Sequence, residues 1–143
     1  MSIGFRLAAD PGVTEYRVFA IVSQAYTVGD SVDVSRTAAD VVPSTSSSLT
    51  YGIRGVAMET VTSAATTLLV ALCNPWQRWT ADVTNAPNTA HNGQRMVLTD
   101  ARTVNNTGTD STSASGVFEQ LGVQDSTGKR IVGRFLAAAN ITA

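Results

Sequence analysis

The most apolar stretch of the chain reads TLLVALC at residues 67–73. This run has the length of a β-strand and is far shorter than the roughly 20 apolar residues of a membrane-spanning helix. Pro75 follows it, and proline stops a strand because it has no N–H to donate to a neighbouring strand. We therefore predict a central strand at 67–73, buried on both faces. Residues 60–66 are predicted to turn the chain before it, with the opening of a short helix at 61–66 as the alternative.

Short runs of β-type residues recur along the chain, separated by clusters of Gly, Pro, Asn and Ser. Their spacing of roughly 8 to 20 residues is typical of β-sandwiches and β-barrels. In residues 13–22, we expect Tyr16, Val18 and Ala20 to face the core. The pattern predicts an all-β fold, an antiparallel β-sandwich or small β-barrel with long polar loops. Strands are predicted at 13–22, 31–34, 39–42, 51–59, 67–73, 95–99, 116–123 and 130–136, the last two forming a hairpin through residues 125–128.

The chain of 143 residues has the length of one domain and can bury a core without disulfides or metals. We predict an N-terminal arm at 1–12, a single β-domain at 13–136 and a C-terminal tail at 137–143. Division of the domain into two small β lobes, 13–75 and 94–136, is the alternative. Residues 85–93 and 105–115 are polar and are predicted to be long loops, of the kind that proteins keep for contacts or binding.

The charge of the chain excludes some partners. The net charge is -1 and the charged fraction is 15%, against about 25% in typical soluble domains. Nucleic-acid binding needs clustered Lys and Arg, so we expect no nucleic-acid partner. The first 12 residues contain Arg6 and Asp10 and no sustained apolar run, so we expect neither a secretory signal nor a membrane partner. Lys129 is the single lysine beside nine arginines, a bias that fits protein interfaces or, equally, codon usage.

No catalytic centre can be assembled from the residue types present. His91 is the single histidine and Cys73 the single cysteine, so no intrachain disulfide can form. The acidic residues are scattered, and the chain lacks the HExxH, CxxC, GxSxG and GxxxxGK[ST] motifs. His91 is predicted to be a solvated loop residue and Cys73 a core thiol. We expect no enzymatic activity, no metal and no cofactor.

Two segments are candidate contact surfaces. Trp76, Arg78 and Trp79 follow Pro75, and tryptophan and arginine are enriched among residues that dominate binding energy at interfaces. The alternatives are that the two tryptophans cover the edge of the core, or that they stack on a sugar. In the N-terminal arm, three apolar residues alternate and could add a strand to a partner, or form an ordinary first strand. These three are Ile3, Phe5 and Leu7.

Three segments, Gly29–Val34, Gly52–Glu59 and Thr67–Leu72, resemble the small β-domain of tailed-bacteriophage capsid decoration proteins, also called cement or head-stabilising proteins. Thr103–Thr107 and Gly116–Phe118 also resemble such proteins in marine and cyanobacterial phages. The resemblance implies a structural virion protein that forms a homotrimer on the outer capsid surface and bridges subunits of the major capsid protein. It also implies synthesis in the host cytoplasm.

Two other functions remain open from the sequence. A phage fibre or a carbohydrate-binding or receptor-binding module would also use exposed tryptophans beside Asn-rich loops. A small trimeric β enzyme that acts on nucleotides is a third possibility, although the glycine-rich motifs of nucleotide sites are missing.

Overall fold

The computed structural model describes residues 3–9, 14–21, 23–34, 40–50, 52–107 and 116–136. The fold is all-β, as predicted. In these residues, twelve strands form two sheets, and a single 3₁₀ turn at Thr89–His91 interrupts them. The predicted C-terminal tail at 137–143 and most of the predicted loop at 105–115 lie outside the described residues.

The N-terminal sheet has the strand order β2-β6-β5-β3-β4, and all its pairs are antiparallel. Its strands are β2 (Tyr16–Ala20), β3 (Ser31–Val34), β4 (Val41–Pro43), β5 (Ile53–Ala57) and β6 (Thr67–Leu72). β6 lies between β2 and β5, and four of its six residues are buried, namely Leu68, Val70, Ala71 and Leu72. The prediction of a central strand is confirmed, and residues 60–66 form turns rather than a helix.

The C-terminal sheet has the order β8-β11-β12-β7-β10-β9, and β1 also pairs with β7. Its strands are β1 (Arg6–Ala9), β7 (Arg78–Val83), β8 (Arg95–Met96), β9 (Leu98–Asp100), β10 (Thr103–Val104), β11 (Phe118–Asp125) and β12 (Arg130–Phe135). The predicted hairpin of β11 and β12 is confirmed. One pair, β10 with β7, is parallel, whereas every other strand pair in the described residues is antiparallel.

The orientation predicted for β2 is reversed. Tyr16 and Val18 were expected to face the core, but they are 52% and 60% exposed. Phe19 is half-buried and packs against the core, and Ile21 is buried. Both faces of this segment carry apolar residues, so the alternation of residue types does not decide which face is buried. An error in that choice reverses the predicted direction of every side chain in the strand.

The two sheets share one hydrophobic cluster. At its centre, four aromatic rings pack with centroids 4.8 to 5.8 Å apart, in tilted or edge-on orientations that aromatic pairs favour. These rings belong to Phe5, Trp79, Phe118 and Phe135. Phe5 comes from the segment before β1, so the N-terminal residues take part in the core of their own chain.

Where the structure describes it, the predicted N-terminal arm packs on its own chain, and residues 6–9 form a strand of the C-terminal sheet. In β1, Arg6 pairs with Thr80 and Leu7 with Trp79 of β7. Residues 6–9 therefore form an ordinary first strand, which was one of the two alternatives, and residues 3–5 lead into it. Residues 1, 2 and 10–12 of that arm lie outside the described part.

Backbone contact fixes the start of the chain against the N-terminal sheet. Gly4 and Gly29 both have positive φ, 76° and 97°, a region that glycine adopts readily. A Cβ added at Gly4 would lie 2.7 Å from the Gly29 oxygen, and one added at Gly29 would lie 2.7 Å from the Ile3 oxygen. The Phe5 N–H donates to the Gly29 oxygen at 2.9 Å. Only residues without a side chain fit this close approach.

Polar contacts also join the two sheets. Arg102, between β9 and β10, donates to the Asp30 carboxylate at 2.7 Å and to the Val28 oxygen at 3.1 Å. The N–H and the hydroxyl of Ser31 donate to the Ala101 oxygen at 2.7 and 2.8 Å. The β9–β10 turn of one sheet is thereby held on the first residue of β3 in the other.

Candidate functional site

The clearest candidate for a contact site is the Trp76 turn, residues 74–77, which connects β6 to β7. The Gln77 N–H donates to the Asn74 oxygen at 3.1 Å and closes the turn. Pro75 favours a turn here because its ring fixes φ near the value a turn needs. Trp76 is 52% exposed, whereas Asn74 and Gln77, the first and last residues of the turn, are buried. The turn therefore presents one large aromatic ring to solvent.

A fully buried polar side chain, Gln77, holds this turn in place. Its Oε1 accepts from the Asn74 N–H at 2.7 Å and from the Trp79 Nε1–H at 3.3 Å. Its Nε2 donates to the Leu72 oxygen and to Thr14 Oγ1, both at 3.3 Å. The sequence analysis singled out the tryptophans and missed Gln77. The sequence signal for this role was the position of Gln77, a single amide residue between two tryptophans and shortly after Pro75.

Arg78 contributes to the same turn rather than to an open surface. Its Nη1 donates to the oxygens of Pro75, Trp76 and Gln77 at 3.5, 3.4 and 3.2 Å. Arg78 is half-buried. The guanidinium thus lies against the backbone carbonyls of the turn that carries Trp76, and it stabilises their orientation.

The predicted contact residues fall into two groups. Trp76 and Ile3 are exposed, at 52% and 43%, and Leu7 is half-buried like Arg78. The prediction that Phe5 and Trp79 lie on a contact surface is wrong, because they are 1% and 0% exposed. Both rings pack in the aromatic cluster of the core, Trp79 from β7 and Phe5 from the segment just before β1.

The structure does not bring Ile3 and Trp76 together. The Ile3 N–H donates to Asp82 Oδ2 at 3.0 Å, close to the end of β7, whereas Trp76 precedes the start of β7. Ile3 and Leu7 line a separate groove of about 660 Å³ with Arg6 and the buried Arg130. The two predicted contact segments are therefore two different surfaces.

A second exposed apolar feature lies near the Trp76 turn, on β2. Tyr16 pairs with Ala71 and Val18 with Leu69, so Tyr16, Val18 and Leu69 lie on one face of the N-terminal sheet. The bond from Gln77 to Thr14 places the start of β2 beside the Trp76 turn. The sequence analysis missed this face because it assigned Tyr16 and Val18 to the core.

The nucleophile and base candidates are Cys73, buried directly before the Trp76 turn, and His91, in the 3₁₀ turn. Burial raises the pKa of the Cys73 thiol to about 12, against smaller lowering contributions from its backbone hydrogen bond and Arg54. A thiol with that pKa is protonated near neutral pH and is a weak nucleophile. His91 is half-buried in the 3₁₀ turn rather than solvated, which corrects the prediction. Among the described residues, no three His, Cys, Asp or Glu side chains are grouped to hold a metal ion.

The first of the two predicted long loops is held by two amide side chains. Gln120, fully buried on β11, donates from Nε2 to the Asn88 oxygen at 2.8 Å and to Asn92 Oδ1 at 2.9 Å. Asn106 accepts from the Asn85 N–H at 2.9 Å and donates to the Asn85 oxygen at 3.0 Å. Residues 85–93 thus form an ordered surface segment.

No family model matches the chain, and no curated protein matches it. In the part of the chain that the structure describes, no helix has the length and apolar character to cross a membrane.

Proposed function

We propose that this chain is a structural protein that binds another protein through the Trp76 turn. In line with the resemblance found in the sequence, we propose that the other protein is the major capsid protein of a tailed phage. The chain would sit on the outer surface of the head and stabilise it by bridging neighbouring subunits. The observation that carries the proposal is a half-exposed tryptophan on a turn that the buried Gln77 holds in place.

Exposure and rigidity together support a binding role for Trp76. Tryptophan is the residue most often found to dominate interface energy, and a side chain held before binding loses less entropy when it docks. Five hydrogen bonds between residues 77–78 and residues 72–76 supply that rigidity. Gln77 donates from Nε2 to the Leu72 oxygen and from its N–H to the Asn74 oxygen, and its Oε1 accepts from the Asn74 N–H. Arg78 Nη1 donates to the oxygens of Pro75 and Trp76. Trp76 takes no part in the hydrophobic cluster of the core, so its ring is free to contact a partner.

The polar groups of the turn favour a protein partner over a sugar. Sugar sites place free hydrogen-bonding side chains beside the aromatic ring. Here Gln77 and Arg78 direct their donors to Leu72, Thr14 and the carbonyls of the turn itself. An apolar ring flanked by the internally bonded Gln77 and Arg78 suits a mainly apolar contact with another protein.

A homotrimer belongs to the same proposal. Closed symmetric assembly presents one patch several times, and contacts made together bind far more tightly than each contact alone. Three copies of the Trp76 side chain in one trimer would compensate for the small area that a single turn can bury.

The test uses capsids assembled from the major capsid protein encoded in the same genome, without decoration. Trp76→Ala is expected to weaken binding by about 2 kcal/mol, roughly 30-fold in Kd, because it removes the dominant side chain. Leu49→Ala is the matched control, since Leu49 is also exposed, at 37%, but lies on another loop. Binding is measured by co-sedimentation, and capsid stability by the temperature at which the capsids disassemble on heating. No binding of the wild-type chain, or equal loss in both variants, would contradict the proposal.

A further inference from the structure

Most sheet edges in the described residues carry features that discourage pairing with another strand. β8 and β9, at the ends of the C-terminal sheet, have two and three residues. β4 has three residues and ends in Pro43, and β1 has an irregular register between Leu7 and Ala9. Short strands, proline and bulges are the devices by which proteins block edge-to-edge association.

The remaining edge, β2, lacks these devices. Its five residues pair with β6 without any shift in register. It contains no proline and no lysine, and Tyr16 and Val18 on one of its faces are more than half exposed. A regular, exposed and apolar edge is a template for a further strand.

The direction of the backbone groups on β2 follows from its bonds to β6. The Ile21 N–H donates to the Thr66 oxygen at 3.0 Å, and the Glu15 oxygen accepts from the Leu72 N–H at 2.9 Å. Odd-numbered residues therefore point their N–H and C=O groups at β6, and even-numbered residues point theirs away. In the described part of the chain, the outward groups of Tyr16 and Val18 make no hydrogen bond, whereas those of Ala20 bond to Asp40 at 3.0 and 3.1 Å.

We propose that β2 pairs with β2 of a second copy of this chain, antiparallel and centred on Arg17. In this register, Tyr16 of one copy lies opposite Val18 of the other. Each of these two pairs exchanges two main-chain hydrogen bonds, so the four free groups of each copy are satisfied. A register centred on Val18 would need the groups of Ala20, which Asp40 occupies. Asp40 therefore excludes that register.

The charges on the other face suit the same arrangement. Glu15 and Arg17 form an ion pair at 2.9 Å, with side chains 51% and 48% exposed. Centring on Arg17 brings two arginines opposite each other, which alone would be unfavourable. The diagonal neighbour of each Arg17 is Glu15 of the other copy, within reach of a long side chain. Two positive and two negative groups then alternate across the interface.

The shared area sets the expected strength of the contact. A ladder of residues 16–18 buries well under the roughly 1,000 Å² of a stable interface, so a free dimer is expected to be weak. It becomes important where copies are held close together, since a high local concentration favours a weak second contact. The inference goes beyond the proposed function and holds whether or not Trp76 binds a capsid.

Cysteine cross-linking tests the register. In an Arg17→Cys variant the two Cα atoms would lie about 4.5 Å apart, as in a non-hydrogen-bonded pair, inside the disulfide range of roughly 4.4–6.8 Å. In the matched Glu15→Cys variant the Cα atoms would lie about 14 Å apart, from a rise of about 3.4 Å per residue. Both variants remove the same ion pair, and the buried Cys73 does not compete because its thiol is fully covered.

We expect a covalent dimer from Arg17→Cys under mild oxidation, at least tenfold faster than from Glu15→Cys. Equal rates in the two variants, or no dimer from Arg17→Cys at high protein concentration, would overturn the proposal. The second measurement is sedimentation velocity over about a hundredfold range of concentration, which spans a weak equilibrium. Val18→Lys is expected to abolish the concentration dependence, because it places a charge on the shared apolar face. Leu49→Lys, the control, is expected to leave it unchanged.

The outcomes also separate this contact from the Trp76 contact. If Trp76→Ala abolishes capsid binding and the Arg17→Cys variant still forms the dimer, the β2 contact is supported and is independent of Trp76. A chain whose Val18→Lys variant loses capsid binding while the wild-type chain shows no self-association would show that β2 pairs with the capsid instead, and the inference would be overturned.

Discussion

At the scale of single residues, Gln77 is polar yet fully buried, and every one of its bonds serves the turn or the strands beside it. Such a group stabilises a fold only while it is bonded, because an unpaired buried donor or acceptor costs about 1–3 kcal/mol. Its neighbours depend on it in the same way. The Trp79 indole N–H and the Asn74 N–H would both lose an acceptor if the amide were removed.

We therefore expect Gln77→Leu to lower the free energy of unfolding by at least about 2 kcal/mol, because it leaves buried donors unpaired at nearly constant volume. The measurement is urea unfolding followed by circular dichroism. Gln124→Leu is the control, since Gln124 is exposed on β11 and its loss should change stability by less than about 0.5 kcal/mol. Equal losses in the two variants would show that the amide network does not hold the turn.

Cys73 predicts a dependence of stability on alkaline pH. Burial raises its pKa from 9.0 to about 12, so the folded chain keeps a proton that the unfolded chain loses. Stability is fully present below pH 9 and falls as the pH rises toward 12, by at most about 1.4 kcal/mol per pH unit. Denaturant unfolding between pH 7 and pH 11 measures this slope. Cys73→Ala should be less stable at pH 7 but show a shallower fall, and an unchanged slope would contradict the assignment.

The sequence predicted a strand that includes residues 16–21, but not which face of that strand is buried. The chain has apolar residues on both faces of residues 16–21, and only the pairing with β6 decides that Tyr16 and Val18 face outward. Trp76 and Trp79 show the same limit. They are three positions apart, and the bend of the turn places one in solvent and the other in the core.

At the scale of strands, Asp82 connects β1 to the rest of the C-terminal sheet. Its Oδ2 accepts from the N–H groups of Ile3 and Gly4 at 3.0 and 2.8 Å, and its Oδ1 accepts from Arg130 at 2.8 Å. Arg130 also donates to the Gly4 oxygen at 2.7 Å. One carboxylate and one guanidinium thus hold the segment that leads into β1.

Asp82→Asn is expected to loosen this segment, because a neutral amide cannot accept all three bonds and leaves the buried Arg130 without its counter-charge. Amide exchange of residues 4–9 should become at least tenfold faster, and that of the β11–β12 hairpin should change less. Asp125→Asn is the matched control, since the Asp125 carboxylate accepts from the Gly128 N–H at the tip of that hairpin. Uniform acceleration across the chain would contradict a local role for Asp82.

Strand β7 was the main element that the sequence analysis did not predict. Its buried Trp79, Ala81 and Val83 alternate with Arg78 and Asp82, which is an ordinary strand pattern. The prediction of a contact surface at Trp76 and Trp79 overlooked that alternation. The parallel pairing of β7 with β10 is a different case, because it joins segments distant in sequence and no local pattern specifies it.

At the scale of the whole molecule, one hydrophobic cluster draws residues from both sheets. A shared core favours a single cooperative unfolding transition, whereas the alternative of two lobes, 13–75 and 94–136, would give two. We expect coincident transitions by far-UV circular dichroism and by fluorescence of a Trp76→Phe variant, in which Trp79 alone reports. Separate midpoints for the two signals would show that the sheets unfold independently.

The all-β class could be predicted because turn residues and short β-type runs recur along the whole chain. The order of the strands could not, since β7 lies between β12 and β10 and pairs with β1 from the far end of the chain. Such arrangements depend on which faces fit together in three dimensions. The edge strand β2 is a consequence of that order, so its free backbone groups could not be located from the sequence either.

The close approach of Gly4 and Gly29 also has an evolutionary consequence. Surface residues such as Trp76 can be replaced as a binding target changes, but a side chain at either glycine would collide with the backbone opposite. Distant descendants that keep this fold should therefore retain both glycines, even after the rest of the sequence has diverged. The pair forms a fingerprint by which ancestry could be traced when overall identity has been lost.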